Sequence, residues 1–265
     1  MQKLILQLLF LIAGFFATWF LLNQVNWMTI FKVEESGDKM EEKIGELYVE
    51  LFAQEEIYDK ELLNPFDSLL TKICDANNIN CEEIKFHLVE NAQVNAMAMP
   101  DKHLVVFTGL VEKCQNEKEL AGIICHELGH IEQDHIMKKL VQEVGLAVLI
   151  SMVSSGGGEI IRETFKTLTS TAYGRSLEKE ADIVAVDYLI EAKIDPQPFA
   201  DFMYQMGLDR PSDKGYSSWV STHPASTERA EYIIEYSKDK WDAADEEAVL
   251  QRATWDALQE NISNL

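Results

Sequence analysis

At 265 residues and 47% apolar composition, the chain holds enough material for one domain with a sizeable core beyond its apolar start. Its 45 acidic against 23 basic residues leave a formal charge of −22, which disfavours nucleic acid and anionic membrane surfaces as partners. No internal repeat is visible, so solenoid and array architectures are set aside.

Residues 4–22 form an apolar run broken only by Gln7, Gly14 and Thr18. As a helix the run is about 28 Å long, enough to cross a bilayer core, and Trp19 and Trp27 suit an interfacial belt at its end. The rival reading is a secretory signal peptide. Its apolar region is usually shorter, no small-x-small cleavage site follows, and no cysteine precedes Cys74 to serve as a lipid anchor. The expectation is a single transmembrane helix within residues 1–31, with secretion to the periplasm after signal cleavage as the alternative. Lys3 on one side and Lys32 and Lys39, set among Glu34, Glu35 and Asp38, on the other give little orientational bias.

Residues 32–57 read as an acidic linker. Within it an amphipathic helix is predicted over 38–57, its stripe made by Met40, Ile44, Leu47 and Leu51. A second helix is predicted over 62–76, then short strands over 84–89, 94–99 and 104–107. Cys74 and Cys81 flank a polar turn, a spacing open to a local disulfide in an oxidising compartment, while Cys114 and Cys125 read equally well as buried thiols. The order of elements is α+β, mostly helical with a small β-sheet.

Asn116 followed by Glu119 marks a helix start, and Leu120, Ile123, Ile124, Leu128 and Ile131 repeat as the apolar positions of a buried helix. Gly122 and Gly129 each cost about 1 kcal/mol relative to alanine inside a helix, so another element is expected to pack close against them. On this helix lies His126-Glu127-Leu128-Gly129-His130. Two imidazoles four residues apart share a face and can grip one Zn²⁺, with Glu127 beside them as general base. The plain alternative is a core helix with two hydrogen-bonded histidines. Cys125, about 100° around the helix from His126, faces away from such a metal.

Residues 140–153 are strongly apolar but too short to cross a bilayer, and 154–158 read as a flexible break belonging to a lid. Glu178 and Asp182 share a helix face, so one carboxylate can bind the metal while the other accepts a hydrogen bond from a ligand histidine. A Gly/Ser-rich loop over 213–218 leads to Thr222-His223-Pro224. His87, His103 and His135 have no partner at ligand spacing and read as surface or strand residues. Residues 241–265 read as an acidic helix carrying Trp255 and Leu258.

These motifs stand in an order similar to that of a known family. Val94-Asn95-Ala96-Met97-Ala98-Met99-Pro100, Phe107-Thr108-Gly109-Leu110, the block from Asn116 through His130, Tyr173-Gly174-Arg175-Ser176-Leu177-Glu178-Lys179-Glu180-Ala181-Asp182, and Ser221-Thr222-His223-Pro224 with Arg229 resemble the zinc metallopeptidases that include HtpX, BepA and the CAAX prenyl proteases, a branch of the gluzincins. The likeness runs from about Tyr58 to Tyr236. It implies a zincin-like peptidase domain over 58–240 and one zinc held by His126, His130 and Glu178. It also implies Glu127 as general base and Asp182 supporting a ligand. Methionines stand where the family has an aromatic residue and leucine in the strand before Pro100, and Cys125 replaces a small residue; both bear on specificity and neither removes a catalytic group.

The resemblance suggests His223 as a fourth zinc ligand, which would latch the site; the competing roles are stabilising the oxyanion or packing in a turn before Pro224. The resemblance places Asn95, Ala96, Met97 and Ala98 on an edge strand where an extended substrate adds as a further strand. The function implied is a membrane-anchored endopeptidase acting on misfolded or misassembled envelope proteins, its catalytic domain outside the cytoplasm, in the periplasm of a bacterium. The alternative is an assembly factor or chaperone that holds clients in the same groove.

Overall fold

A computed structural model of the chain describes residues 41–47, 49–145, 148–149, 151, 163–164, 166, 171–208, 218–224 and 227–265. They lie in one unit, Glu41–Leu265. The expected anchor, the break over 154–158 and most of the 213–218 loop fall outside the described residues. Among those described, no helix is long and apolar enough to cross a membrane.

Asp59 starts α1 (Lys60–Asn77) by accepting the Glu61 N–H at 2.8 Å, and Asn78 stops it in the left-handed region at φ 55°. Strands β1 (Lys85–Val89), β2 (Ala96–Met99) and β3 (His103–Phe107) follow, in the sheet order β1-β3-β2. β1 is parallel to β3 and β2 antiparallel, which makes β2 an edge strand. Phe107 N–H donates to Asn95 C=O at 3.0 Å, so the pairs Asn95/Phe107 and Met97/Val105 exchange the ladder bonds. The main chain of Ala96 and Ala98 therefore turns to the free edge. Of the four residues expected to receive substrate, Asn95 and Met97 spend their main-chain groups on β3 instead.

α2 (Thr108–Lys113) leads into the buried helix α3 (Glu117–Glu132). Asn116 Oδ1 accepts the N–H groups of Lys118 and Glu119, while Glu119 Oε2 reaches back to the Gln115 N–H at 2.8 Å, one residue beyond the usual reciprocal partner. The two glycines of α3 are explained by its neighbours α5 (Arg175–Glu191) and α6 (Gln197–Leu208). A Cβ at Gly122 would stand 2.4 Å from Phe199 Cβ of α6, and one at Gly129 would stand 3.1 Å from the Ala181 carbonyl oxygen of α5. Close approach of three elements fixes the floor of the site.

Three boundaries differ from expectation. The helix predicted over 38–57 is helical at 41–47 and gives way to turns before Glu56 bridges to Val89. Apolar residues of the 140–153 run belong to α4 (His135–Glu143), which begins earlier because Asp134, at φ 52°, turns the chain out of α3; Gly145 at φ 87° follows its end. The acidic carboxy-terminal stretch is helical in a 3-10 turn at Ala243–Asp245 and in α9 (Arg252–Ser263), whose Trp255, Leu258 and Ile262 are buried where it packs on α1 and α2. Between α6 and α9 lie the short helix α7 (Ser218–Thr222) and α8 (Thr227–Ser237). All four cysteines are free thiols, three of them buried. No disulfide joins Cys74 and Cys81, and burial raises the Cys74 thiol.

Candidate metal centre

α3 projects His126 and His130 from one face, α5 brings Glu178, and His223 follows directly on α7. One donor atom from each of these four buried residues lies within 4.8 Å of the other three. His126 Nε2 is 3.1 Å from His130 Nε2 and 3.2 Å from His223 Nδ1. Glu178 Oε1 is 3.4 Å from His130 Nε2 and 3.0 Å from His223 Nδ1. A tetrahedral ion with bonds of about 2.0–2.1 Å has donor-to-donor edges of about 3.3 Å, and three imidazoles with one carboxylate suit zinc. The residues fit the ion in spacing, number and chemistry.

The far sides of the two α3 histidines are held. His126 Nδ1 lies 2.9 Å from Asp182 Oδ1, close for ion pairing but off the hydrogen-bond direction. His130 Nδ1 is 3.0 Å from His135 Nδ1, whose own Nε2 is 3.3 Å from Glu180 Oε2. His135, read from the sequence as a surface or strand residue, is thus a buried support for His130. A histidine five residues from another carries no metal-spacing signal, and only the turn at Asp134 brings the rings together. His87 and His103 do lie on strands, where His87 Nε2 and His103 Nδ1 are 2.8 Å apart and His87 Nδ1 is 2.7 Å from Glu56.

Arg229 of α8 binds both carboxylates of α5. Its Nε and Nη2 donate to Asp182 at 2.8 and 2.7 Å, and Nη1 stands 2.6 Å from Glu178 Oε2, close for ion pairing but off the hydrogen-bond direction. Tyr232 adds a short hydrogen bond to Asp182. Burial alone would raise both carboxylates. Their neighbours win, Arg229 and then the His126 ring lowering Asp182, while the His223 and His130 rings and Arg229 hold Glu178 well below the usual range. Burial drives His130 well below the usual imidazole value, so it stays neutral and able to ligate.

Glu127 is fully enclosed. Its Oε2 accepts the Ala98 N–H from the β2 edge at 2.9 Å and its Oε1 accepts the Trp219 indole N–H at 2.8 Å. His223 Nε2 lies 3.5 Å from the same Oε1. Tyr173, also buried, stacks beside His130 and His223 with ring centres 4.1 and 5.2 Å away. Neither Trp219 nor Tyr173 was singled out from the sequence as part of the site; lone aromatic residues read as core.

Buried imidazole and carboxylate donors converging on one point, with a glutamate against them and a sheet edge alongside, describe a zinc metalloendopeptidase. A family model for peptidase family M48 matches residues 65–237, and the chain belongs to that family. The metalloprotease LoiP of Escherichia coli (strain K12) is 30% identical over 173 residues, covering 62% of this chain and 68% of LoiP. Metalloprotease YcaL of the same organism is 29% identical over 174 residues, covering 62% and 67%. The beta-barrel assembly-enhancing protease of Yersinia pestis is 26% identical over 189 residues, which are 65% of this chain and 38% of that protein. The enzyme class is thereby fixed, and its cofactor is zinc.

Proposed function

We propose that the protein is a membrane-anchored zinc endopeptidase of the bacterial envelope that hydrolyses misfolded or misassembled proteins, with its site latched by His223. The observation that carries this reading is the convergence of four buried donors, one more than a catalytic zinc needs. His126, His130 and Glu178 are the permanent ligands, Asp182 orients His126, and His223 is the removable fourth. When bound, zinc supplies an acidified water and a polarised substrate carbonyl. Glu127 takes the proton from the attacking water and hands it to the leaving amine.

The β2 edge supports binding by strand addition, with the main chain of Ala96 turned toward an extended chain and the Ala98 N–H tying the edge to Glu127. Recognition of main chain rather than side chains suits unfolded substrates. The apolar run over 4–22 supports the anchor, and the likeness to a protein called a beta-barrel assembly-enhancing protease supports an envelope location and a place beside the BepA branch. A second reading, that the chain chiefly holds client proteins with hydrolysis latched off, is favoured by the enclosure of Glu127 and all four donors.

His223→Ala tests the latch. Cleavage of a short unstructured peptide should accelerate; slower cleavage with zinc retained would assign His223 to the oxyanion instead. Client binding and cellular rescue by an inactive Glu127→Gln protein would move the weight to the holding role.

A further inference from the structure

Trp219 has no place in the chemistry above, yet it touches Glu127, His126 and His223. It is fully buried on α7, among the largest enclosed side chains of the molecule. Its indole N–H donates to Glu127 Oε1 at 2.8 Å. Its ring stacks on His223 with centres 4.9 Å apart and planes at 20°, and meets His126 edge-on at 5.5 Å. Its backbone N–H donates to the Val94 carbonyl at 3.1 Å, and its own carbonyl accepts the His223 N–H at 2.8 Å.

Val94 precedes β2 with the same parity as Ala96 and Ala98, so its carbonyl points to the free edge. The Trp219 N–H therefore sits where the N–H of an added strand would bond. The Ala98 N–H, four residues further along the strand's outward side, is held by Glu127, whose other oxygen is held by the indole. One five-residue helix thus occupies a sheet-edge acceptor, the general base and the metal cluster together.

We propose that Trp219 is a positioning residue that clamps Glu127 in the resting arrangement, and that α7 competes with the substrate backbone for the β2 edge. This deepens the latch reading and rests on it: His223 and Trp219 leave as one unit, freeing a coordination position, one oxygen of Glu127 and the Val94 carbonyl together. An intramolecular competitor lowers the fraction of chains able to bind substrate. Its signature is a raised apparent KM with an unchanged kcat.

The test is Trp219→Phe in the full chain, which keeps a stacking ring and removes the indole donor, beside His223→Ala and the unaltered protein on one unstructured peptide. One net hydrogen bond corresponds to at most about tenfold in the opening equilibrium. Trp219→Phe should lower KM by up to that factor and leave kcat within about twofold. Amide exchange supplies a readout apart from turnover: the His223 N–H should exchange faster in Trp219→Phe, by up to about tenfold. In the unaltered chain, the backbone amides of Trp219 and His223 should share one protection factor, which tests the common opening even where the variant does not fold. A fall in kcat in Trp219→Phe, unchanged exchange at His223, or protection factors more than about tenfold apart would overturn the clamp. A faster His223→Ala beside an unmoved Trp219→Phe would retire the clamp and leave the latch standing, whereas no acceleration in His223→Ala would count against the latch itself.

Discussion

Replacing Asp182 with asparagine keeps the shape of the side chain and removes its charge at the point where the metal cluster meets its support. Asp182 accepts Arg229 Nε at 2.8 Å and Nη2 at 2.7 Å, accepts the Tyr232 hydroxyl, and faces His126 Nδ1 at 2.9 Å. Every one of these neighbours can donate, and an asparagine offers one oxygen for them. Its amide nitrogen must then replace either Oδ2, facing Arg229 Nε and the phenol, or Oδ1, facing Arg229 Nη2 and His126. Either way it leaves a buried guanidinium partly uncompensated, although Glu178 at 2.6 Å remains. Breaking such a pair costs about 3 kcal/mol, which for a domain of this size lowers Tm by about 6–12 °C. Turned toward His126, it withdraws the acceptor that fixes the ring, and zinc affinity should fall about 10–100-fold. Calorimetry and competition with a zinc chelator read the two branches separately. Wild-type values in both would refute the argument that Asp182 couples the ligand to the core.

Gly122→Ala should destabilise the protein by about 1–2 kcal/mol in urea unfolding, the helix gain being outweighed by overlap with Phe199; stabilisation would show that α3 and α6 are not in tight contact. His103 is drawn down to about 4, by burial first and then by His87 and Lys85. Because the unfolded chain binds a proton on this group at higher pH than the folded one does, its neutral burial is fully favourable above about pH 6.5 and loses its benefit as pH falls toward 4. His103→Phe should therefore flatten the fall in Tm across that window, by up to about 2–3 kcal/mol of stability at its acid end; an unchanged slope would place the acid sensitivity elsewhere. His135→Phe should weaken zinc binding by about 10-fold through loss of the contact to His130, and chelator competition at unchanged Tm would show it.

Much of the site could be read from the chain because local periodicity carries it. Four residues separating His126 from His130, and four separating Glu178 from Asp182, fix shared helix faces whatever the tertiary structure, and the cost of Gly122 and Gly129 announced close neighbours without naming them. What the sequence did not disclose depends on contacts between distant elements. Trp219 lies 92 positions from Glu127, and the Arg229 bridge to Asp182 spans 47. Residue type at those positions reads as core or surface until α7 and α8 are placed. His135 was hidden by a single left-handed residue at Asp134, and strand alternation alone could not say which main-chain groups of 95–98 face outward, because that follows from the register with β3. The helix limits missed at 38–57 and 241–265 share one cause: apolar stripes persist through turns and extended segments that also pack on the core.

Zinc content of the purified full chain, measured together with cleavage of unfolded casein by wild type and Glu127→Gln, bears most directly on the central claim. The proposed mechanism predicts one zinc per chain in both proteins and cleavage by the wild type alone, since it gives Glu127 the proton transfer and no part in holding the metal. Equal cleavage by Glu127→Gln would contradict the role given to that residue, and a wild-type chain that takes up no zinc would contradict the site itself.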